Sequence, residues 1–414
     1  MTVVGFITEY NPFHYGHKYH LEQSMKKSKG DYSIAIMSGS FLQRGEPSFI
    51  DKWSKAKMAI DNGVDLVLEL PFIFASQSAE LFAYGGVKLM DSLNIVDFLA
   101  FGTEIGELEP LERISSILSE EPNFYKEKLK YYLSLGLSYS ISRSNAIREY
   151  INIILPNNQY DYEKILAQSN NILGIEYLKA LNKIKSKITP IAIKRSGSHY
   201  NDLHLSNGFA SATAIRNLIK NKDLNHIKDL VPIETYYCLE EYLNKYKDFN
   251  YIENYNQIFL YLIRTIEKNK LQSLIDIENG LENRMIAQGS KNNNIKKIID
   301  NIITKRYPRT RIQRLFIHLL NQLDKNTFKE LYNCYPSYIR VLGSNKKGLI
   351  LLNKIKENSS LPIITKFADY KHFKSEALEK ILIFDKRATD IFFLGLNSSN
   401  ALANMDYYNS PYIK

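Results

Sequence analysis

Two histidines three residues apart, His14 and His17, stand in the run Asn11-Pro12-Phe13-His14-Tyr15-Gly16-His17 near the start of the chain. Imidazoles at that spacing share one face of a helix. Where a helix begins, its first backbone N–H groups are unpaired and available to an anion. Such a set of donors suits negative charge that builds on a phosphorus centre as a phosphate ester is made or broken. Gly16, between the two rings, lets the backbone approach a ligand, and Pro12 turns the chain ahead of the helix.

Four further segments carry groups of the same kind. Ser211-Ala212-Thr213-Ala214-Ile215-Arg216 places hydroxyls at a helix start with an Arg one turn on, a pattern that binds phosphate oxygens. Its plain alternative is a capped helix with a surface Arg. In residues 169–177, either Asn170 or Asn171 caps a helix or meets a purine or ribose. Residues 38–47 are too long and polar for a minimal turn and read as a lid or substrate loop; Lys52 and Lys55 behind them face phosphates or water. Lys305, Arg306, Arg309, Arg311 and Arg314 surround Tyr307. Arg with an interleaved aromatic suits an RNA backbone and unstacked bases; an exposed basic helix start is the other reading. His226, His318 and Trp53 read as structural.

Positioning these groups takes an alternation of strands and helices. Strands are predicted at 3–7, 32–37, 64–70 and 96–101, with helices at 16–27, 52–62 (capped by Asp51) and 77–93 between them. One helix per interval implies right-handed crossovers and a parallel sheet. Ligands bind beyond the strand C-termini of such sheets, so residues 8–17, 38–44, Pro71 and 102–104 should converge. A further strand at 189–193 runs into Lys194 and Arg195. Residues 106–187 and 221–325 are predicted mostly helical, and the chain from about 331 mixes short strands and helices. The expected class is α/β: an N-terminal doubly wound parallel sheet followed by a mostly helical C-terminal region.

The 414 residues carry 54 Lys and Arg against 44 Asp and Glu, a net charge of +10. At 44% hydrophobic and 24% charged, the composition is that of a globular protein, which excludes a disordered or fibrous chain. The basic balance fits a polyanionic partner and equally a solvated lysine-rich surface. Cys238 and Cys334 are far apart and supply neither a disulfide framework nor paired metal-ligand spacing. The start of the chain lacks the basic lead of a signal peptide, and no run approaches the ~18 apolar residues of a membrane span. A reducing cytoplasm, no membrane and no protein-held metal are the expectations.

Residues 9–17, 39–47, 102–104, 170–177, 194–195, 211–216, 280–284 and 305–314, in that order, resemble the bacterial tRNA(Met) cytidine acetate ligase family. These are nucleotidyltransferases sharing H-x-G-H and a later I-S-S-T-x-I-R motif. The likeness runs from the first strand to about Arg340. It implies a Rossmann fold of the HIGH-superfamily kind. It also implies that ATP and acetate give acetyl-adenylate and pyrophosphate, and that the acetyl group then passes to N4 of the wobble cytidine of elongator tRNA(Met), giving N4-acetylcytidine. ATP with Mg2+, acetate, and no acetyl-coenzyme A follow from the same resemblance. By position, His14 and His17 would hold the phosphates and Arg216 the leaving pyrophosphate. Ile7, Thr8, Glu9, Tyr10, Asn11, Pro12, Phe13, Tyr15, Gly16, His20, Gly102, Asn170 or Asn171, Arg195, Ser196, Ser211 and Thr213 would line the nucleotide. A catalytic domain over 1–220, a helical tRNA-binding domain over 221–325 and a small mixed region over 326–414 are expected. One departure stands out: Glu9 occupies a position where many nucleotidyltransferases have a phosphate-binding Ser or Thr. Two other readings compete. An adenylyltransferase making a dinucleotide-type cofactor would place AMP on a small phosphate ester. A non-catalytic RNA-binding protein with a nucleotide-sensing domain would release no pyrophosphate.

Overall fold

The computed structural model describes residues 1–156, 159–195 and 209–414. Its strands are β1 (Val3–Thr8), β2 (Tyr32–Ser38), β3 (Leu66–Leu70), β4 (Phe98–Thr103), β5 (Thr189–Lys194), β6 (Ile339–Ser344), β7 (Ile363–Ile364) and β8 (Tyr412–Ile413). They form one sheet in the order β5-β4-β1-β2-β3-β6-β7, with β8 paired to β6. β1, β2 and β3 are almost continuously apolar, because helices cover both faces of a parallel sheet. The five strands from β5 to β3 run parallel, as expected. The chain lays β2 and β3 on one side of β1, then places β4 on the other. That reversal opens a crevice beyond the C-terminal ends of β1 and β4.

Side-chain caps explain where two strands depart from expectation. The third begins at Leu66 rather than 64, after the Asp65 carboxylate accepts the Ser33 N–H at 2.9 Å. The fourth begins at Phe98 rather than 96, after Asp97 accepts the Val3 N–H at 2.8 Å. Hydrophobic runs extend through such residues, so apolar pattern alone overshoots the strand start.

Residues beyond 326 do not stand apart from the sheet. β6 pairs antiparallel with β3, with Leu66 opposite Ser344, so the sheet is mixed rather than wholly parallel. The helix Glu376–Leu394 reaches back to the end of β3, where Asp385 accepts the Phe72 N–H at 2.7 Å. The helix α1 (Tyr15–Ser28) follows β1, and α2 (Lys52–Asp61) follows β2. From α2, the buried Lys52 ammonium meets Glu69 and Asp406, each at 2.8 Å. One ion cluster thereby joins β3 to the end of the chain, each buried charge paired as burial requires. Among the described residues no helix is long and apolar enough to cross a membrane.

Candidate active site

A cavity of about 420 Å³ lies at the crevice between β1 and β4. Of the residues expected at the nucleotide, Ile7, Thr8, Glu9, Tyr10, His14, Gly16, His17, His20, Gly102, Asn170 and Arg195 line it. Asn11, Pro12, Phe13, Tyr15, Asn171, Ser211, Thr213 and Arg216 lie outside its lining. Ser196 lies outside the described residues.

The two histidines cap α1 reciprocally. Gly16 N–H donates to His14 Nδ1 at 3.0 Å, and His14 N–H donates to His17 Nδ1 at 3.3 Å. Their rings stack with centroids 3.9 Å apart. A Cβ on Gly16 would sit 2.8 Å from His14 Cε1, so the stack requires glycine there. Burial pulls His14 down to about 3, with Arg195 and Arg216 adding to the effect, and pulls His17 well below its ordinary value. Both rings are therefore neutral at pH 7. Because Nδ1 accepts in each, the proton sits on Nε2. The cavity thus receives two neutral N–H donors rather than two cations. One turn on, His20 is held down to about 4 by burial, and its buried Nε2 has no hydrogen-bond partner. Thr8 Oγ1 is likewise buried without one. Unpaired polar atoms lining a cavity are costly unless a ligand or water meets them.

Glu104 separates the two asparagines. Its carboxylate receives Asn170 N–H at 3.2 Å, Asn170 Nδ2 at 2.6 Å and Asn171 N–H at 2.8 Å, closing the N-terminus of the helix Ser169–Ile184. Asn171 is buried, and its amide oxygen accepts the Glu104 N–H at 2.9 Å while Nδ2 donates to Gln168 Oε1 at 2.9 Å. Those bonds make Asn171 a brace. Asn170 faces the cavity, its oxygen taking Arg195 at 3.3 Å.

Arg216 reaches the site from the side. Ser211 caps the helix Ala212–Asn221 by accepting the Ala214 N–H at 3.2 Å. Arg216 then donates to the Asn11 carbonyl at 2.7 Å and pairs with Glu46 at 3.3 Å, beside Thr213.

Residues 38–47 differ from a free lid. Phe41 and Leu42 are buried, Phe41 bridges to Pro47, and Gln43 N–H donates to Glu9 Oε1 at 2.8 Å. Gln43 and Arg44 line the cavity, joined by Thr310. Lys52 and Lys55 face neither phosphates nor water. Lys55, fully buried, donates to the carbonyls of Ser38 at 2.7 Å, Gly39 at 2.9 Å and Glu9 at 3.3 Å. The sequence reading names Lys55 but not its burial, although Lys52, Lys55, Ala56 and Ala59 share a helical face whose apolar members mark burial. Arg44 stands in the segment 38–44 expected at the strand ends, whereas Thr310 lies in the run 305–314, which reads for its basic residues as an RNA surface and not as cavity wall.

The run 305–314 divides. Pro308 opens the helix Arg309–Asn321, so Arg306 is not on the same helix as Arg309. Arg306 and Arg311 both pair with Glu278 at 2.7 Å, Arg309 pairs with Asp300, and Lys305 is exposed. Arg314 is buried and donates to the Gln43 carbonyl at 3.3 Å, so it meets the loop rather than the surface.

Comparison with known proteins agrees with the fold. A family model described as HIGH nucleotidyl transferase matches residues 1–406. The tRNA(Met) cytidine acetate ligase of Thermoanaerobacter sp. (strain X514) is 45% identical over 416 residues, all of both chains. That of Caldanaerobacter subterraneus subsp. tengcongensis is 44% identical, again over all of both. Among solved structures, Thermotoga maritima TmcAL bound with alpha-thio ATP superposes with a TM-score of 0.92 at 32% identity, covering 100% of this chain and 99% of the other. Its apo form superposes at 0.94.

Proposed function

The chain belongs to the HIGH nucleotidyl transferase family, among its tRNA(Met) cytidine acetate ligases, and from that premise we propose how its own residues carry the reaction. It is an ATP-dependent ligase acting on tRNA(Met). In the first step an acetate oxygen attacks the α-phosphorus in line, and pyrophosphate leaves. In the second, N4 of the wobble cytidine attacks the acetyl carbon; the carbon–oxygen bond to AMP breaks and the amine loses a proton. Acetate, rather than acetyl-coenzyme A, is the acyl source in this reading.

The observation that carries it is the pair of neutral Nε2–H donors of His14 and His17. They stabilise charge as it develops on the phosphoryl oxygens, from the capped start of α1 that lines the cavity. Arg195 and Arg44 add positive charge, and Arg216 stands beside His14 for the departing pyrophosphate. Glu9 is the one carboxylate lining the cavity among the described residues, and no group of three or more His, Cys, Asp or Glu there is arranged for a metal. A magnesium ion accompanying ATP would therefore be held chiefly by the phosphates, with Glu9 the protein group suited to it, and would neutralise phosphate charge. The exposed Lys305, Arg306 and Arg309, with the half-buried Arg311, supply phosphate contacts for tRNA, whose unpaired anticodon base is splayed toward the cavity.

The test is pyrophosphate release from ATP with acetate and tRNA omitted in turn, beside labelled acetate incorporation into tRNA(Met). Acetate-dependent release without tRNA, and labelling without acetyl-coenzyme A, are expected. AMP transfer to a small phosphate ester would favour the cofactor adenylyltransferase instead.

A further inference from the structure

Residues 43–46 touch both halves of the proposed site. On one side Gln43 N–H holds the Glu9 carboxylate at 2.8 Å, and Glu46 holds Arg216 at 3.3 Å. On the other, Gln313 donates to the second Glu46 oxygen at 3.3 Å and Arg314 to the Gln43 carbonyl at 3.3 Å. The segment is also closed on itself, with Leu42 N–H to the Glu46 carbonyl at 2.9 Å and Gly45 N–H to the Leu42 carbonyl at 3.0 Å.

Gly45 is where this segment meets the helix Arg309–Asn321. It has φ +75°, and a Cβ there would lie 2.2 Å from the Arg314 nitrogen and 2.5 Å from the Gln313 carbonyl carbon. Those are backbone atoms of a helix, which cannot turn aside as a side chain would. Any residue but glycine must therefore part the loop from the helix. Gln43, Arg44 and Thr310, which frame the cavity, sit on the two surfaces that would separate.

We propose that residues 43–46 form a rigid spacer that fixes the distance between the adenylate and RNA docked on the helix Arg309–Asn321, with Gly45 as its positioning residue. This rests on the ligase reading. The spacer acts on the second step alone. Acetate and ATP meet within the cavity, whereas cytidine N4 must arrive from the helix side with its geometry set by this contact. A displacement of about 1 Å costs ~10²-fold in a reaction that depends on orientation.

The experiment compares Gly45→Ala and Gly45→Asn with the parent chain, using ATP, labelled acetate and tRNA(Met). Asn tolerates a positive φ but still carries a Cβ, so it separates backbone conformation from close approach. Both variants should release pyrophosphate from ATP and acetate within about threefold of the parent, and bind tRNA within about threefold. Acetyl transfer should fall ~10²-fold, so that pyrophosphate released per acetyl transferred rises as adenylate is lost to water. Gln313→Ala, which leaves the loop backbone untouched, should shift that ratio in the same direction by a smaller factor; it serves if the Gly45 variants fail to fold. Equal loss of both steps, loss of neither, or full rescue by Asn overturns the spacer. If the parent itself makes no acetyl-adenylate, the ligase reading fails instead.

Discussion

The Lys55 ammonium, with no exposed surface, lies 3.3 Å from the backbone carbonyl of Glu9, behind the carboxylate that lines the nucleotide cavity. Glu9 would repel a triphosphate if it acted alone. Lys55 offsets that charge from within the protein, and its bonds to Ser38 and Gly39 tie the ends of β1 and β2 together.

Replacing Lys55 with Met should therefore raise the KM for ATP by about tenfold or more while the protein stays folded. Burial holds Lys55 down to about 7, so its charge is lost near neutrality. The signs for stability and activity differ. Between pH 7 and the ordinary lysine value the unfolded chain binds more protons, so this group makes the fold more stable as pH rises. Deprotonation nonetheless removes one donor from the three carbonyls, and activity should decline above pH 7. Thermal melts and ATP kinetics from pH 6 to 9 read both, and an unchanged activity profile in the Met variant would refute the link.

His14→Ala and His17→Ala should each slow acetyl-adenylate formation by ~10²–10³-fold, the cost of one preorganised donor. Both rings are neutral in the fold, with His14 down to about 3, so below pH 6.5 the unfolded chain takes up protons that the folded one refuses. Stability should fall as pH drops from 6.5 toward 3. His14→Gln should flatten part of that slope in a melting series.

The two asparagines should respond differently. Asn171→Ala leaves the Glu104 N–H and the Gln168 amide without partners, at a cost of ~1–3 kcal/mol, and should lower the melting temperature. Asn170→Ala should leave the melt nearly unchanged and raise the KM for ATP. Identical behaviour of the two would contradict the division drawn by Glu104.

Arg309→Gln and Arg311→Gln should weaken tRNA binding and each lower the salt slope by ~1, with adenylate synthesis intact. Glu278→Gln, which frees Arg306 and Arg311 from their shared carboxylate, should tighten binding. Arg314→Gln belongs to another class. Through the Gln43 carbonyl it loosens the loop from the helix, so it should lower acetyl transfer while adenylate synthesis stays near that of the parent. Filter binding across a salt series, beside tRNA-free adenylate synthesis, distinguishes these outcomes.

The parallel core and its converging strand ends were legible because apolar runs alternate with capped helices in residues 3–103. The H-x-G-H pair was legible because local spacing sets it. What stayed hidden depends on distant partners. Lys52 reads as a surface charge until Asp406, far along the chain, is folded against it. β6 reads as one more strand, and nothing local says that it runs antiparallel beside β3. Glu46 and Gln313 stand in two segments the sequence singles out, 39–47 and 305–314, but only packing joins them.

The pairing of β6 with β3 also sets an order of events during synthesis. The first strands and the helix bearing the histidines leave the ribosome early, yet the open edge of β3 waits for residues 339–344 before it is covered. Until Asp406 follows, Lys52 and Glu69 lack the third member of their cluster. A nascent chain halted between the two would display a bare, apolar strand edge open to pairing with a neighbouring chain. Competence to bind nucleotide should thus arrive late and all at once, and trimming the final strands should bring aggregation and loss of nucleotide binding together.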